Sequence, residues 1–286
     1  MSPPVPGAQS SVRSSYAPRM VSLTRTVRFA LGSLEREGTN GYAGKPAMAG
    51  FGAHHELTIR CVGELDAGVG YLIDIQEIDR AVRDVVLPRL ERAREAVADP
   101  ITTLREAYSA LAGALRKPLA SVRLNLTPYY SVEIADMPNA SNGTDKAGNL
   151  AALVRQRFDF AAAHRLHVAG LSDDENRRLF GKCNNANGHG HNYQVEPCVA
   201  VAPGSRFSLL TLEKLTKETI LDRFDHTHLN LDTVEFGPGP TGVNPSVENI
   251  AKVSFELLAP VILAAGATLR DVTVWETDRT SATYPG

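Results

Sequence analysis

Short stretches of alternating apolar and polar residues frame longer stretches with apolar residues at helical spacing, and this order occurs twice along the chain. Thr24–Phe29 alternates as a strand does, and after a Gly-rich loop His54–Val62 does so again. From about Ile75 to Val97 the apolar Ile78, Val82 and Val85/Val86 recur at helical spacing, and Asp74 with Glu77 matches a capping box. A second helix near Thr103–Leu115 leads into strand Val122–Leu126 and another over Tyr130–Ile134. The second half repeats the order. Strand Gln156–His164 precedes a loop and strand His189–Val201; helices near Leu212–Leu221 and Val247–Leu258 follow, then strand Leu269–Thr277 and a further short strand.

Strands paired before and after two consecutive helices predict an α+β fold, with an antiparallel sheet and helices on one face. Between the halves, Pro138 to Asn149 (PNASNGTDKAGN) has linker composition. The expected organisation is a disordered Ser/Pro-rich tail over 1–20, a unit over 21–137, a linker over 138–149 and a second unit over 150–286. Met20 is an alternative start. GAHHELTI (52–59) aligns without a gap on GHGHNYQV (188–195), which agrees with two tandem copies of one unit.

A length of 286 residues at ~150 per domain agrees with two units. No run reaches the ~18 apolar residues of a membrane span, and no heptad pattern persists. With 30 basic and 32 acidic residues the net charge is −2, so no global field draws nucleic acid or a membrane surface. An anionic substrate must then be met by local cations. Three cysteines, Cys61, Cys183 and Cys198, are too few for a disulfide framework and fit a reduced, cytoplasmic setting.

The chemistry-bearing residues lie unevenly. His189-Gly190-His191 opens a predicted strand, where alternate residues share a face. His164, at the end of the preceding strand, is the natural third ligand, and three protein ligands with an open fourth position characterise catalytic zinc. Asn187-Gly188, a tight-turn pair, would make those two strands hairpin partners. An ordinary loop edge is the plainer account of an isolated His-x-His. Cys183, in GKCNNANG, reads either as a thiolate base or nucleophile or as a small buried residue. Asp225-His226 can shuttle a proton, or Asp225 can cap a helix; His228 forms a rival His-x-His with His226. Glu276, inside the apolar strand VTVWETD, must face away from Trp275. On the solvent face it is an ordinary surface acid; facing inward it needs a partner, which a ligand with two adjacent N–H donors would supply.

Taken together, HRLHVAGLSDDENRRLFGKCNNANGHGHNY (164–193), DHTHLNLD (225–232), PSVENIA (245–251) and ETD (276–278) resemble the 6-pyruvoyl-tetrahydropterin synthase family in residue type and order. The resemblance spans essentially the whole second half. It implies zinc on His164, His189 and His191, and Cys183 as the base, with Asp225 and His226 completing the proton-transfer group. Glu276 would anchor the pterin, with Ser246 and Glu248 near it; the family usually has Thr where Ser246 stands, and the hydroxyl is kept. The implied substrate is 7,8-dihydroneopterin triphosphate, and the implied reaction eliminates triphosphate with internal redox isomerisation. Magnesium often accompanies the triphosphate, and Arg165, Lys182, Arg177 and Arg178 are its basic candidates.

A sister group makes 6-carboxy-tetrahydropterin for queuosine synthesis and has a shorter loop between the cysteine and His-Gly-His. Here five residues, Asn184 to Gly188, intervene, which favours the pyruvoyl type. A non-catalytic pterin-binding protein is the third reading. The first half departs from the pattern. His189 aligns with Ala53, His191 with His55, Glu276 with Leu126, and His164 falls near Ser33. The first half is therefore expected to be a silent copy. The family's unit, the T-fold, closes its sheet into a barrel on oligomerisation, which implies a homo-oligomer, most simply a trimer of tandem chains.

Overall fold

In the computed structural model, residues 20–32, 53–116, 118–136, 150–239 and 242–285 are described. Residues 1–19 of the expected tail (1–20) and the whole expected linker (138–149) lie outside them. Strands β1 (Val21–Leu31), β2 (Ala53–Gly63), β3 (Leu119–Thr127) and β4 (Tyr130–Asp136) pair antiparallel in chain order. The second half supplies β5 (Leu150–Gln156), β6 (Phe158–His164), β7 (His189–Val201), β9 (Thr268–Thr277) and β10 (Thr280–Tyr284). A two-residue strand β8 (Thr227–His228) lies parallel to β6.

The halves join as one sheet. β4 pairs with β5 from Tyr130–Gln156 to Asp136–Leu150, and β7 takes β5 and β6 along one edge and β9 along the other. The expected strand Gln156–His164 is thus two strands that part at Arg157, with β5 an element the sequence pattern did not reveal. Among the described residues the sheet is open, with β1, β10 and the short β8 at its ends. The order β1–β2–β3–β4 is repeated by β5/β6–β7–β9–β10.

Alternation decides which side is covered. Leu57, Ile59, Val122, Leu124, Val132, Ile134, Tyr193, Val195, Val272 and Val274 point one way into a single apolar cluster that runs across both halves. Each such side chain contributes about 1.5–3 kcal/mol on burial. In the first half that face is covered by α1 (Ile75–Ala81), a π-helical turn (Val82–Val86), α2 (Leu87–Glu95) and α3 (Pro100–Ala114). In the second half it is covered by α5 (Leu209–Thr216), with a π-helical turn after it, and α8 (Val247–Ala264). Arg105 on α3 ties the halves together, donating to Val201 O at 2.7 Å and also to Leu150 O. The opposite face is polar, with ion pairs Arg28–Glu56, Arg155–Glu133 and Arg157–Glu196.

Two local expectations are corrected. Asp74 caps α1 by accepting from Gln76 N at 2.9 Å, but Glu77 turns away to accept from Arg116 N, so no capping box forms. β6 and β7 do pair, yet no tight turn joins them. Residues 165–188 intervene and carry α4 (Asp173–Phe180), capped by a genuine box in which Ser172 and Glu175 exchange hydrogen bonds. Among the described residues no helix is long and apolar enough to cross a membrane.

Candidate metal centre and its surroundings

The antiparallel register sets the site. His164, the last residue of β6, lies directly opposite His189, the first of β7, and His191 follows on the same face. The three imidazoles bring one ligand atom each to within 4.8 Å of the others. His164 Nε2 stands 3.3 Å from His189 Nε2. Two nitrogens on one tetrahedral zinc, each ~2.0–2.1 Å from it, stand ~3.3–3.4 Å apart, so the pair has the required spacing.

The protonation of His164 follows from its partners. It is fully buried, and its Nδ1 donates to Pro245 O at 2.7 Å, with the Tyr193 hydroxyl 3.3 Å away. Burial pulls the imidazole down to about 4; the Pro245 carbonyl opposes this and neighbouring His189, His191 and His228 add to it. The ring is therefore neutral, and with its proton on Nδ1 the lone pair of Nε2 faces the cluster. His191 is also lowered by burial, against the charge of Glu276. Its Nε2 and His189 Nδ1 are buried without a hydrogen-bond partner among the described residues. A neutral His164 with an inward lone pair and two buried, unpartnered ring nitrogens on its neighbours fit a cation better than a proton network.

Glu276 joins this group. It lies on the inward face of β9, and its Oε1 is 3.6 Å from both His164 Nε2 and His191 Nε2. Trp275 faces the other side as alternation requires, with the Arg157 guanidinium 4.0 Å over its ring. Beneath the histidines Tyr193 is fully buried and packs on Phe160 at 5.1 Å; burial raises its phenol strongly, with the charges of Glu276 and Cys183 adding to the effect.

The remaining expected residues lie around this corner. Cys183 sits in a 3-10 turn (Gly181–Asn184) whose backbone is tied to the chain just beyond β6 by Leu166 N donating to Cys183 O at 2.8 Å. Asp225 ends the short α6 (Asp222–Phe224) and accepts from Ala161 N at 2.8 Å, with His226 Nδ1 at 3.0 Å. That Ala161 N–H, first, and then His226 hold the carboxyl below its ordinary range. His226 takes φ +57° and its side chain is 83% exposed, at the rim of a ~340 Å³ cleft that also touches Ala161, Gly190, Asn192 and Thr227. Among the described residues no hydrogen bond joins the Cys183 thiol to this pair. His226 and His228 are not among the three residues that share the metal position. Ser246 caps α8 by accepting from Asn249 N at 3.4 Å, and Glu248 in its first turn is exposed. Of the basic candidates, Arg165 is hydrogen-bonded to Asn184, and Arg177 is paired with Asp174.

Sequence reasoning missed the residues that hold the ligands in place. Pro245 and Tyr193 orient His164. Asn230 brackets Arg165, accepting from its N at 2.7 Å and donating to its O at 3.0 Å; Asn184 donates to Leu166 O at 2.7 Å, and Asn176 accepts from Val168 N at 2.8 Å. Asparagine can mimic a backbone turn, but which carbonyls these amides meet depends on chain crossings that spacing does not reveal.

Fold and corner together define an α+β protein with a three-histidine group able to hold one metal ion. Residues 153–286 match the family described as 6-pyruvoyl tetrahydropterin synthase. The human 6-pyruvoyl tetrahydrobiopterin synthase is 40% identical over 139 residues, 47% of this chain and 92% of that protein. A putative 6-pyruvoyl tetrahydrobiopterin synthase of Caenorhabditis elegans is 47% identical over 136 residues, covering 46% of this chain and 93% of that protein. The solved structure of the Caenorhabditis elegans 6-pyruvoyl tetrahydropterin synthase superposes with a TM-score of 0.43 at 38% identity, over 48% of this chain and 96% of that one. The chain belongs to the 6-pyruvoyl tetrahydropterin synthase family, a family of enzymes, through its second half.

Proposed function

We propose that this protein is a zinc-dependent 6-pyruvoyl-tetrahydropterin synthase, eliminating triphosphate from 7,8-dihydroneopterin triphosphate with internal redox isomerisation. One observation carries the reading: in a chain of this family, three imidazoles converge with a carboxylate beside them. His164, His189 and His191 would hold the ion, which when bound polarises the substrate's side-chain oxygens and acidifies its carbon-bound protons.

The protein's own groups do the rest. Glu276 receives the ring and amino N–H donors of the pterin on its two oxygens, with Ser246 and Glu248 near the ring. Cys183 takes the carbon-bound proton through its sulfur. Asp225 engages His226 at Nδ1, which leaves Nε2 to carry a proton to or from the substrate. Loss of triphosphate breaks a carbon–oxygen bond, and the redox change moves between side-chain carbons without an external hydride donor. Arg165, Lys182, Arg177 and Arg178 are the cations near which the triphosphate and its magnesium would lie. The three free cysteines suit a reduced, cytoplasmic setting.

The half 21–137 is read as a degenerate T-fold copy, 150–286 as the catalytic one, and 138–149 as their linker; the repeated strand order supports this. Open edges at β1 and β10 support closure into a barrel by a homo-oligomer, for which a trimer of tandem chains remains the simplest form. The outward-facing, exposed His226 suits a site completed between units.

Incubating metal-loaded protein with 7,8-dihydroneopterin triphosphate should release triphosphate and yield the pyruvoyl product by mass spectrometry. The 6-carboxy product with acetaldehyde would replace this reading with the sister reaction, and pterin binding without turnover would leave a non-catalytic protein. Cys183→Ala should bind neopterin within about twofold of the parent, followed by the emission of Trp275, the single tryptophan. Its turnover should fall by ~10²–10⁴.

A further inference from the structure

Glu276 stands closer to the histidines than holding an organic ring requires. Its Oε1 is 3.6 Å from His164 Nε2 and 3.6 Å from His191 Nε2, and its side chain is 21% exposed. Among the described residues no N–H or O–H donates to this carboxylate. His164 Nδ1 donates to Pro245 O, so Nε2 is the ring nitrogen that faces Glu276. At 3.6 Å the carboxylate oxygen is beyond hydrogen-bond distance of both ring nitrogens and close to the spacing of co-ligands on one cation.

A tetrahedral ion on three histidines has one position left. Nitrogen and oxygen ligands ~2.0–2.2 Å from such an ion stand ~3.3–3.5 Å apart; Glu276 is at 3.6 Å from two of the three histidines and outside the group whose ligand atoms all lie within 4.8 Å of one another, so its side chain must swing toward His189 to take the position. Glu276 is also placed to leave. It is the penultimate residue of β9, beside the turn into β10, where the pairing register shifts between Thr280 and Ser281. Its neighbour Trp275 is held on the far face under Arg157.

We propose that Glu276 is a displaceable fourth metal ligand: its carboxylate closes the centre in the substrate-free protein and leaves when a pterin offers it N–H donors. This rests on the reading of Glu276 as the pterin anchor. The same group then links ring recognition to the opening of the metal position, so the ion is exposed only when a pterin is in place.

The test uses the full chain loaded with Co2+, whose visible absorption reports ligand number and type, with neopterin as the probe. Substrate-free wild type should differ in spectrum from Glu276→Gln, and the variant should bind Co2+ about tenfold or more weakly in competition with a chelator. Neopterin should convert the wild-type spectrum to that of the variant. Glu276→Asp, which keeps the charge but is one methylene shorter, should resemble Glu276→Gln and serves if the amide variant misfolds. Superimposable substrate-free spectra with Co2+ affinities within twofold would overturn the proposal while leaving the pterin anchor standing. Equal neopterin affinity in wild type and Glu276→Gln would instead remove the anchor, and the displacement with it.

Discussion

Two corners of the same sheet share one pairing pattern. Leu31 lies opposite Ala53 where β1 meets β2, and His164 lies opposite His189 where β6 meets β7. One step along, Phe29 faces His55 as Ala162 faces His191. The expected counterpart of His164, Ser33, lies outside the described residues, and the register puts Leu31 opposite Ala53. His55 sits near Phe29, with ring centroids 5.9 Å apart, and its Nδ1 is 3.2 Å from Asn125 O. His54, on the neighbouring position, faces away and is exposed. On the inward face of β3 the first half has Val122, Leu124 and Leu126, all apolar. Among the described residues the first corner shares the pairing pattern and the apolar core but brings no three ligand side chains together. Three ligand side chains are needed at once, and a single imidazole gains more from a carbonyl partner than from a metal it cannot surround.

The sharpest way to break this comparison is to count metal. The parent should hold one ion per chain, measured by elemental analysis against protein concentration. His189→Ala should lower the affinity by well over 10²-fold, because removal of one of three ligands leaves an incomplete centre. His55→Ala should leave the stoichiometry unchanged. Two ions per chain, or loss of an ion in His55→Ala, would make the first corner a metal site.

A smaller effect concerns how the second corner is closed. Gly188 takes φ +71°, and a Cβ there would lie 2.5 Å from His228 Nε2 and 3.0 Å from His164 O. Gly188→Ala should destabilise the metal-free protein by about 1–3 kcal/mol in denaturant unfolding. Gly190→Ala is the control: its Cβ would meet only Ala162 O at 3.5 Å, an ordinary contact. Its cost should stay within about 0.5 kcal/mol.

The smallest effect compares one carboxylate from each half. Asp225 is held below its ordinary range mainly by the Ala161 N–H, and Glu56 mainly by the Arg28 side chain. A depressed folded value means the unfolded chain binds protons first. Each group therefore contributes stability above its unfolded value, near 3.8 for Asp225 and 4.5 for Glu56, and loses it as pH falls through the folded value. Asp225→Asn and Glu56→Gln should each flatten the acid limb of the melting temperature below about pH 4.5, by under about 1 kcal/mol after solvent screening. A steepened limb in either variant would reverse the sign.

The α+β class, both helical regions of each half and β7 to the residue were legible because alternation and helical spacing are local properties of the chain. The His-Gly-His pair and Glu276 were legible for the same reason: strand period alone puts them on faces. Other features were not. β5 has little alternation, since Ala152, Leu153 and Val154 are all buried between β4 and β7. The helix capped by Ser172 was written in its box spacing, inside the stretch expected to be a loop. Pro245 has no chemical signature as a positioning group, because only its backbone oxygen acts.

From the sequence alone came the ligand types, the faces they occupy, the doubled order of elements and the absence of matching ligands from the first half. The tertiary structure decided how far apart those ligands stand. It brought His164 to within 3.3 Å of His189 across the intervening residues 165–188, and Glu276 to within 3.6 Å of two imidazoles from a strand 85 residues beyond His191. Period assigns a side chain to a face, but distance across a sheet is set by pairing register and by the loops that close it.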